Sequence, residues 1–302
     1  MDLEGVIGGT PLVRLKKLAV GAAEVWVKLE GSNPGGSIKD RAAWSMVRAA
    51  EEEGELRPGS GRTIVEATSG NTGIGLAMIA AARGYRYVNV APEDISAERR
   101  AVLAALGARL VFTPAAGGMV AAREKAAALA EEEGGWWADQ FSNPANPLAH
   151  YRGSGPEAWR QLGGRVDALV LGVGTGGTLT GMARYLKEQN PRLLTVALEP
   201  ASHRALRPGP RLGHPFAGIG AGFVPANLDL ALVDEVLAVP AELALELGGR
   251  LAREEGLFLG LSSLANVWGA LELARRLGPG RRVLTVSPDS GFKYLSTPPY
   301  GG

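Results

Sequence analysis

Cysteine is absent from this chain. That excludes disulfides, thiolate nucleophiles and thiolate metal sites. Histidine is nearly as scarce: only His150, His203 and His214 occur, too far apart in sequence to form a metal-ligand spacing. A dominant charge is missing as well. The formal net charge is +1 over 302 residues, which leaves no field to steer nucleic acid or an anionic membrane. No stretch of about eighteen apolar residues escapes interruption by charge or glycine, so no membrane-spanning helix is expected. The opening residues MDLEGVIGG lack a basic segment followed by an apolar one, so no secretory signal is expected either. These absences leave a soluble cytoplasmic protein as the default.

Apolar residues make up 46% of the chain, enough for a sizeable core. The length suits two packed lobes or one large α/β domain. Strand-like runs occur at 24–30, 63–67, 87–91, 109–112, 168–173, 193–199 and 282–287. Helical patterning lies between them, at 40–53, 72–83, 97–106, 119–133, 177–188, 241–255 and 264–277. Such alternation predicts mostly parallel sheets covered by helices on both faces. The run SNPANP (142–147) breaks helix on both sides, and the expected lobe boundary falls there, between 1–145 and 146–302. Residues 207–223 read as a long Gly/Pro-rich loop, a type that is usually functional or mobile.

Chemistry concentrates at three glycine-rich strand-to-helix turns: GSNPGGSIK after 24–30, TSGNTGIG after 63–67, and GTGGTLTG after 168–173. Ligands of open parallel sheets bind at such strand ends, where free helix amides favour an anion. In the third turn Gly172, Gly174 and Gly177 satisfy G-x-G-x-x-G, with Glu199 following at the end of the next strand. That spacing allows a dinucleotide site. It also allows a phosphate cup, with Thr175 and Thr178 adding hydroxyl donors, or a plain packing turn.

Lys39 stands in the first turn among apolar or small neighbours: Ile38, Ala42, Ala43 and Trp44. The positive end of a helix dipole and desolvation both disfavour an ammonium there, which suits an amine that forms an imine. An amine, a phosphate cup and no metal ligands together point to pyridoxal phosphate. In the second turn Asn71 is placed to meet a cofactor ring oxygen. Thr68, Ser69 and Thr72 are placed to meet a substrate carboxylate, although Ser, Thr and Asn also serve as ordinary helix caps.

The ordered motifs IGGTPLVRL (7–15), KLEGSNPGGSIKDRAA (28–43), EATSGNTGIGLA (66–77) and DQFSNPANPLAHY (139–151) open a longer series. GVGTGGTLTG (172–181), GIGAGFVP (218–225), EEGLFLGLSS (254–263) and SPDSGFKYLSTP (287–298) complete it. Together they resemble the cysteine synthase (O-acetylserine sulfhydrylase) family, within the fold type II, tryptophan-synthase-like pyridoxal phosphate enzymes. The resemblance implies two three-layer α/β lobes with the cofactor in the cleft between them, part of 8–35 packing on the second lobe. It implies that Lys39 carries the cofactor as an internal aldimine and acts as the catalytic base. Asn71 would contact the ring 3′-oxygen, and Gly174, Thr175, Gly176, Gly177 and Thr178 the phosphate. Ser262 would face the pyridine nitrogen. Thr68, Ser69, Gly70, Thr72 and Gln140 would bind the substrate α-carboxylate.

The implied reaction is β-replacement through an α-aminoacrylate: O-acetyl-L-serine and sulfide give L-cysteine and acetate. The implied assembly is a homodimer, with serine acetyltransferase as a partner. One departure stands out. Leu264 occupies the place of a usual glycine after Ser262-Ser263 and adds bulk near the ring. The alternatives are cystathionine β-synthase, an O-phosphoserine sulfhydrylase and, more remotely, a nicotinamide-dependent dehydrogenase. Residues 217–224 hold no cation for a phosphate leaving group, which favours the acetyl ester. His150 is expected at a helix or lobe contact, His203 and His214 in loops, and Trp136 and Trp137 at a lobe surface.

Overall fold

The computed structural model describes residues 3–301. Strands β1 (Leu12–Arg14) and β2 (Glu24–Leu29) come first. Next are α1 (Lys39–Glu52), β3 (Thr63–Ala67), α2 (Asn71–Arg83), β4 (Arg86–Pro92), α3 (Ala97–Ala105), β5 (Arg109–Thr113), α4 (Gly118–Glu132) and β6 (Trp136–Trp137). The second half runs α5 (Ala145–Ala149), α6 (Gly155–Gln161), β7 (Ala168–Gly172), α7 (Gly177–Gln189), β8 (Leu194–Pro200) and β9 (Glu235–Val239). It closes with α8 (Ala241–Arg250), α9 (Leu261–Leu277) and β10 (Arg282–Ser287).

Two sheets form. One has the order β1-β2-β10-β7-β8-β9, antiparallel only between β1 and β2. The other, β5-β4-β3-β6, is parallel throughout. Their central strands are buried on both faces, so they read as apolar runs without alternation. Side chains of β7 split by the strand period of two. Val170 joins the core beneath α9, while Leu169 and Leu171 join the core beneath α7. In β3, Ile64 and Val65 divide in the same way between the α1/α2 side and the α4 side. Each sheet is thus the middle of three layers.

A buried ionic network ties the start of the chain to the second half. Arg41 of α1 pairs with Glu30 at 2.7 Å and with Glu157 of α6 at 2.7 Å, and Lys28 pairs with Glu157 at 2.9 Å. Thr10 donates to Glu30 at 2.7 Å, so the buried carboxylate is satisfied from several sides.

The structure corrects several local expectations. SNPANP does not separate helices: α5 begins inside it, and Pro147 falls in the first turn, where proline is tolerated. A π-helical turn at His150–Ser154 links α5 to α6. Helix α9 begins at Leu261, three residues earlier than its apolar pattern suggests. Trp136 is 8% exposed and packs in a core rather than at a surface. Leu264 is fully buried in the core on the α8 side, 3.2 Å from where a Cβ on Gly248 would sit. The extra bulk is therefore met by a glycine on α8 and lies outside the cleft.

Candidate active site

Three strand ends converge on one cleft of about 430 Å³. Every site residue expected from the sequence lines it except Gly177, which is buried at the start of α7. The size suits a small cofactor with its substrate.

Consider the turn after β7. Gly176 has φ +81°, and a Cβ on Gly174 would lie 2.1 Å from the Gly218 carbonyl oxygen. A Cβ on Gly177 would lie 2.0 Å from Asn146 Oδ1. No side chain caps α7, so its first amides are left for an anion. Thr175 Oγ1 accepts from Asn146 Nδ2 at 3.0 Å. Thr178 Oγ1 lies 3.3 Å from His150 Nε2, and His150 Nδ1 lies 2.9 Å from Ser154 Oγ. Burial, with help from Lys39 and Arg41, holds the His150 pKa well below its ordinary value, so the imidazole is neutral. It supports the Thr178 hydroxyl from behind.

Lys39 is the first residue of α1 and donates from Nζ to Thr175 Oγ1 at 3.4 Å. No carboxylate pairs with it among the described residues, and burial pushes its pKa down to about 8. The amine is therefore available for imine chemistry near neutral pH. A turn of bare helix amides packed tightly from behind, with an amine that pairs with no carboxylate at its edge, fits pyridoxal phosphate. Glu199 does not serve a ribose. It is 3% exposed, and its Oε2 accepts from the amides of Ala205 and Leu206 at 2.7 and 2.8 Å.

The turn after β3 presents backbone amides and hydroxyls to the cleft. Helix α2 starts at Asn71 without a side-chain cap, so the Asn71 and Thr72 amides are left open, while the Gly73 amide bonds Gly70 O at 3.2 Å. Thr68 Oγ1 accepts from the Gly70 amide at 3.0 Å and shapes the turn. Thr72 Oγ1 donates to Gln140 Oε1 at 2.5 Å, while Gln140 Nε2 donates to Glu66 Oε1 and Ala67 O, both at 3.2 Å. Burial pushes the Glu66 pKa up to about 8, so the Gln140 amide meets a neutral carboxyl at pH 7. Both ends of Gln140 are engaged within the protein, and its geometry orients Thr72. Ser262 lies in the first turn of α9, 4% exposed, at the opposite wall.

Sequence reading missed several cleft residues. Asn146 does not line the cleft but is fully buried behind it, bonded to Thr175, and its place inside SNPANP was the only hint. Arg99 of α3 lines the cleft and donates to Ser69 O at 3.1 Å. His203 and His214 also line it, with ring centroids 5.3 Å apart, carried by the irregular segment after β8. Only that loop's length signalled a functional role.

The sequence pattern of the family described as pyridoxal-phosphate dependent enzymes matches residues 3–289. A cysteine synthase of Staphylococcus aureus (strain Mu50 / ATCC 700699) is 48% identical over 301 residues, covering 99% of this chain and 96% of that protein. Among solved structures, an O-ureido-L-serine synthase superposes with a TM-score of 0.94 at 43% identity, covering 98% of this chain and 93% of that one. A cysteine synthase from Entamoeba histolytica superposes with a TM-score of 0.92 at 35% identity, covering 98% and 89%. Matched along nearly its whole length in both sequence and fold, the chain belongs to the pyridoxal-phosphate dependent enzymes of fold type II.

Proposed function

We propose that this protein is a cysteine synthase, converting O-acetyl-L-serine and sulfide into L-cysteine and acetate. The observation that carries the reading is the Lys39 amine, unpaired with any carboxylate among the described residues and 3.4 Å from Thr175 Oγ1 of the anion cradle. The named relatives from Staphylococcus aureus and Entamoeba histolytica support the reaction.

In this reading Gly174, Thr175, Gly176, Gly177 and Thr178 hold the cofactor phosphate, Asn71 meets the ring 3′-oxygen and Ser262 meets the ring nitrogen. When bound, pyridoxal phosphate supplies an electron-withdrawing ring that takes up the negative charge developing at the substrate α-carbon. The amides at the start of α2, with Ser69, Gly70 and Thr68, bind the substrate α-carboxylate, and Gln140 holds Thr72 beside them. Lys39 Nζ, neutral above about pH 8, removes the α-proton. Acetate leaves the β-carbon, hydrosulfide adds to the same carbon, and Lys39 Nζ returns the proton to the α-carbon. Ser262 brings a neutral hydroxyl rather than a carboxylate to the ring nitrogen. Such a hydroxyl would not hold a proton on that nitrogen as a carboxylate would, which would favour departure of the β-group.

The same reading divides the chain into lobes near residue 145, with β1 and β2 on the second lobe. It carries a cytoplasmic homodimer and an acetyltransferase tail as a partner that enters the cleft. Steady-state assay with O-acetylserine, O-phosphoserine, or serine plus homocysteine tests the reading. Cysteine formed fastest from the acetyl ester supports it. Preference for either other donor overturns it.

A further inference from the structure

Two charged side chains from the end of the chain grip Asn71 from behind. Its Nδ2 donates to Asp289 Oδ2 at 2.8 Å, and its Oδ1 accepts from Lys293 Nζ at 2.9 Å. An ammonium only donates, so the amide oxygen must face Lys293. Tyr294 OH also donates to Asp289 Oδ2 at 2.8 Å, which marks that oxygen as an acceptor. The amide is thus held in one of its two orientations.

Both grips are themselves anchored. Lys293 Nζ donates to Gly35 O at 3.2 Å, in the turn that carries Lys39. Asp289 is 1% exposed, and its backbone oxygen accepts from Ser287 Oγ at 3.0 Å and Ser263 Oγ at 3.3 Å, next to Ser262. Gly260 leaves the room: a Cβ there would lie 1.8 Å from Asp289 Oδ1. An amide nitrogen carries two hydrogens. One is on Asp289, and the other is left for the cleft that Asn71 lines.

Resting on the cofactor reading above, we infer that Asp289 and Lys293 are positioning residues that keep an Asn71 N–H, rather than its carbonyl, aimed at the ring 3′-oxygen. A flipped amide would set Oδ1 against an oxygen that carries negative charge. Neither residue touches the cofactor in this account. Both act through Asn71.

A double-mutant cycle tests this. Apo protein is titrated with pyridoxal 5′-phosphate, and the dissociation constant and the ratio of the long- to short-wavelength absorption bands are read. Lys293→Met should weaken binding about tenfold and lower that band ratio, whereas Lys293→Arg should restore most of both. In an Asn71→Ala background the Lys293→Met change should shrink to less than about twofold. Lys293→Leu, which offers no donor to Asn71 Oδ1, serves the same cycle if the methionine variant does not fold. Equal losses in both backgrounds, or no loss in either, would overturn the assignment. Wild-type protein that fails to bind pyridoxal phosphate would instead overturn the functional reading beneath it.

Discussion

Replacing Gly177 with alanine probes the anion cradle at its tightest point. The new Cβ would lie 2.0 Å from Asn146 Oδ1, 2.6 Å from its Cγ and 3.0 Å from its Nδ2. Ordinary contact needs more than about 3.4 Å, so the Asn146 amide must move by over an ångström. It has nowhere to go: it is fully buried, and its Nδ2 is committed to Gln140 O at 2.8 Å and Thr175 Oγ1 at 3.0 Å. Overpacking of this kind costs about 1–3 kcal/mol, and loss of the two buried hydrogen bonds adds a similar amount. The expected sum is about 2–5 kcal/mol, or roughly 3–8 °C in the melting temperature of the apo protein. Affinity for pyridoxal phosphate should fall by about tenfold or more, because Thr175 and the helix amides shift with Asn146. The decisive assay adds Asn146→Ala. That change removes the clashing atoms, so the double variant should be about 2 kcal/mol more stable than the sum of the single losses. Losses that add to within about 0.5 kcal/mol would refute the packing argument.

Other consequences follow from the same geometry. Cofactor capture by apo protein should rise about tenfold per pH unit below pH 8 and level off above it, since Lys39 reacts only as the free amine; stopped-flow absorbance from pH 6 to 10 reads this directly. Burial pushes the Glu157 pKa up, but hydrogen bonds and charge from Arg41 and Lys28 outweigh it and bring the value down to about 2. A depressed carboxyl stabilises above its unfolded value of about 4.5, and that contribution is lost as pH falls toward 2. The stability gap between wild type and Glu157→Gln in urea should therefore close across that window. Arg41→Met leaves Glu30 buried without its guanidinium and should cost about 3–5 kcal/mol in the same measurement. Leu264→Gly should cost about 2–5 kcal/mol through its cavity yet leave the absorption bands of bound cofactor unchanged, because Leu264 does not line the cleft.

Much of this was legible in the chain. Alternating apolar strands and amphipathic helices predicted parallel sheets, because strands covered on both faces must be apolar throughout. The glycine turns predicted where ligand chemistry would gather. Short elements escaped: β1 has 3 residues and β6 has 2, too few to show a period. Helix α5 hid behind its prolines. Lys39 was expected to be tuned by burial and by the helix dipole, and in the structure burial pushes its pKa down. Asn146, His150 and Lys293 could not be assigned from sequence, since their roles arise from contacts with Thr175, Thr178 and Asn71 across 29, 28 and 222 positions. Leu264 misled for a related reason. Its neighbour in space, Gly248, lies on another helix.

The central claim is that Lys39 is the residue that carries the cofactor. Borohydride reduction of protein loaded with pyridoxal phosphate, followed by peptide mass mapping, tests it most directly. The account predicts a single phosphopyridoxyl group, on Lys39, and none in Lys39→Met. A stoichiometric label on Lys293 or Lys28, or no label on wild-type protein, would contradict it.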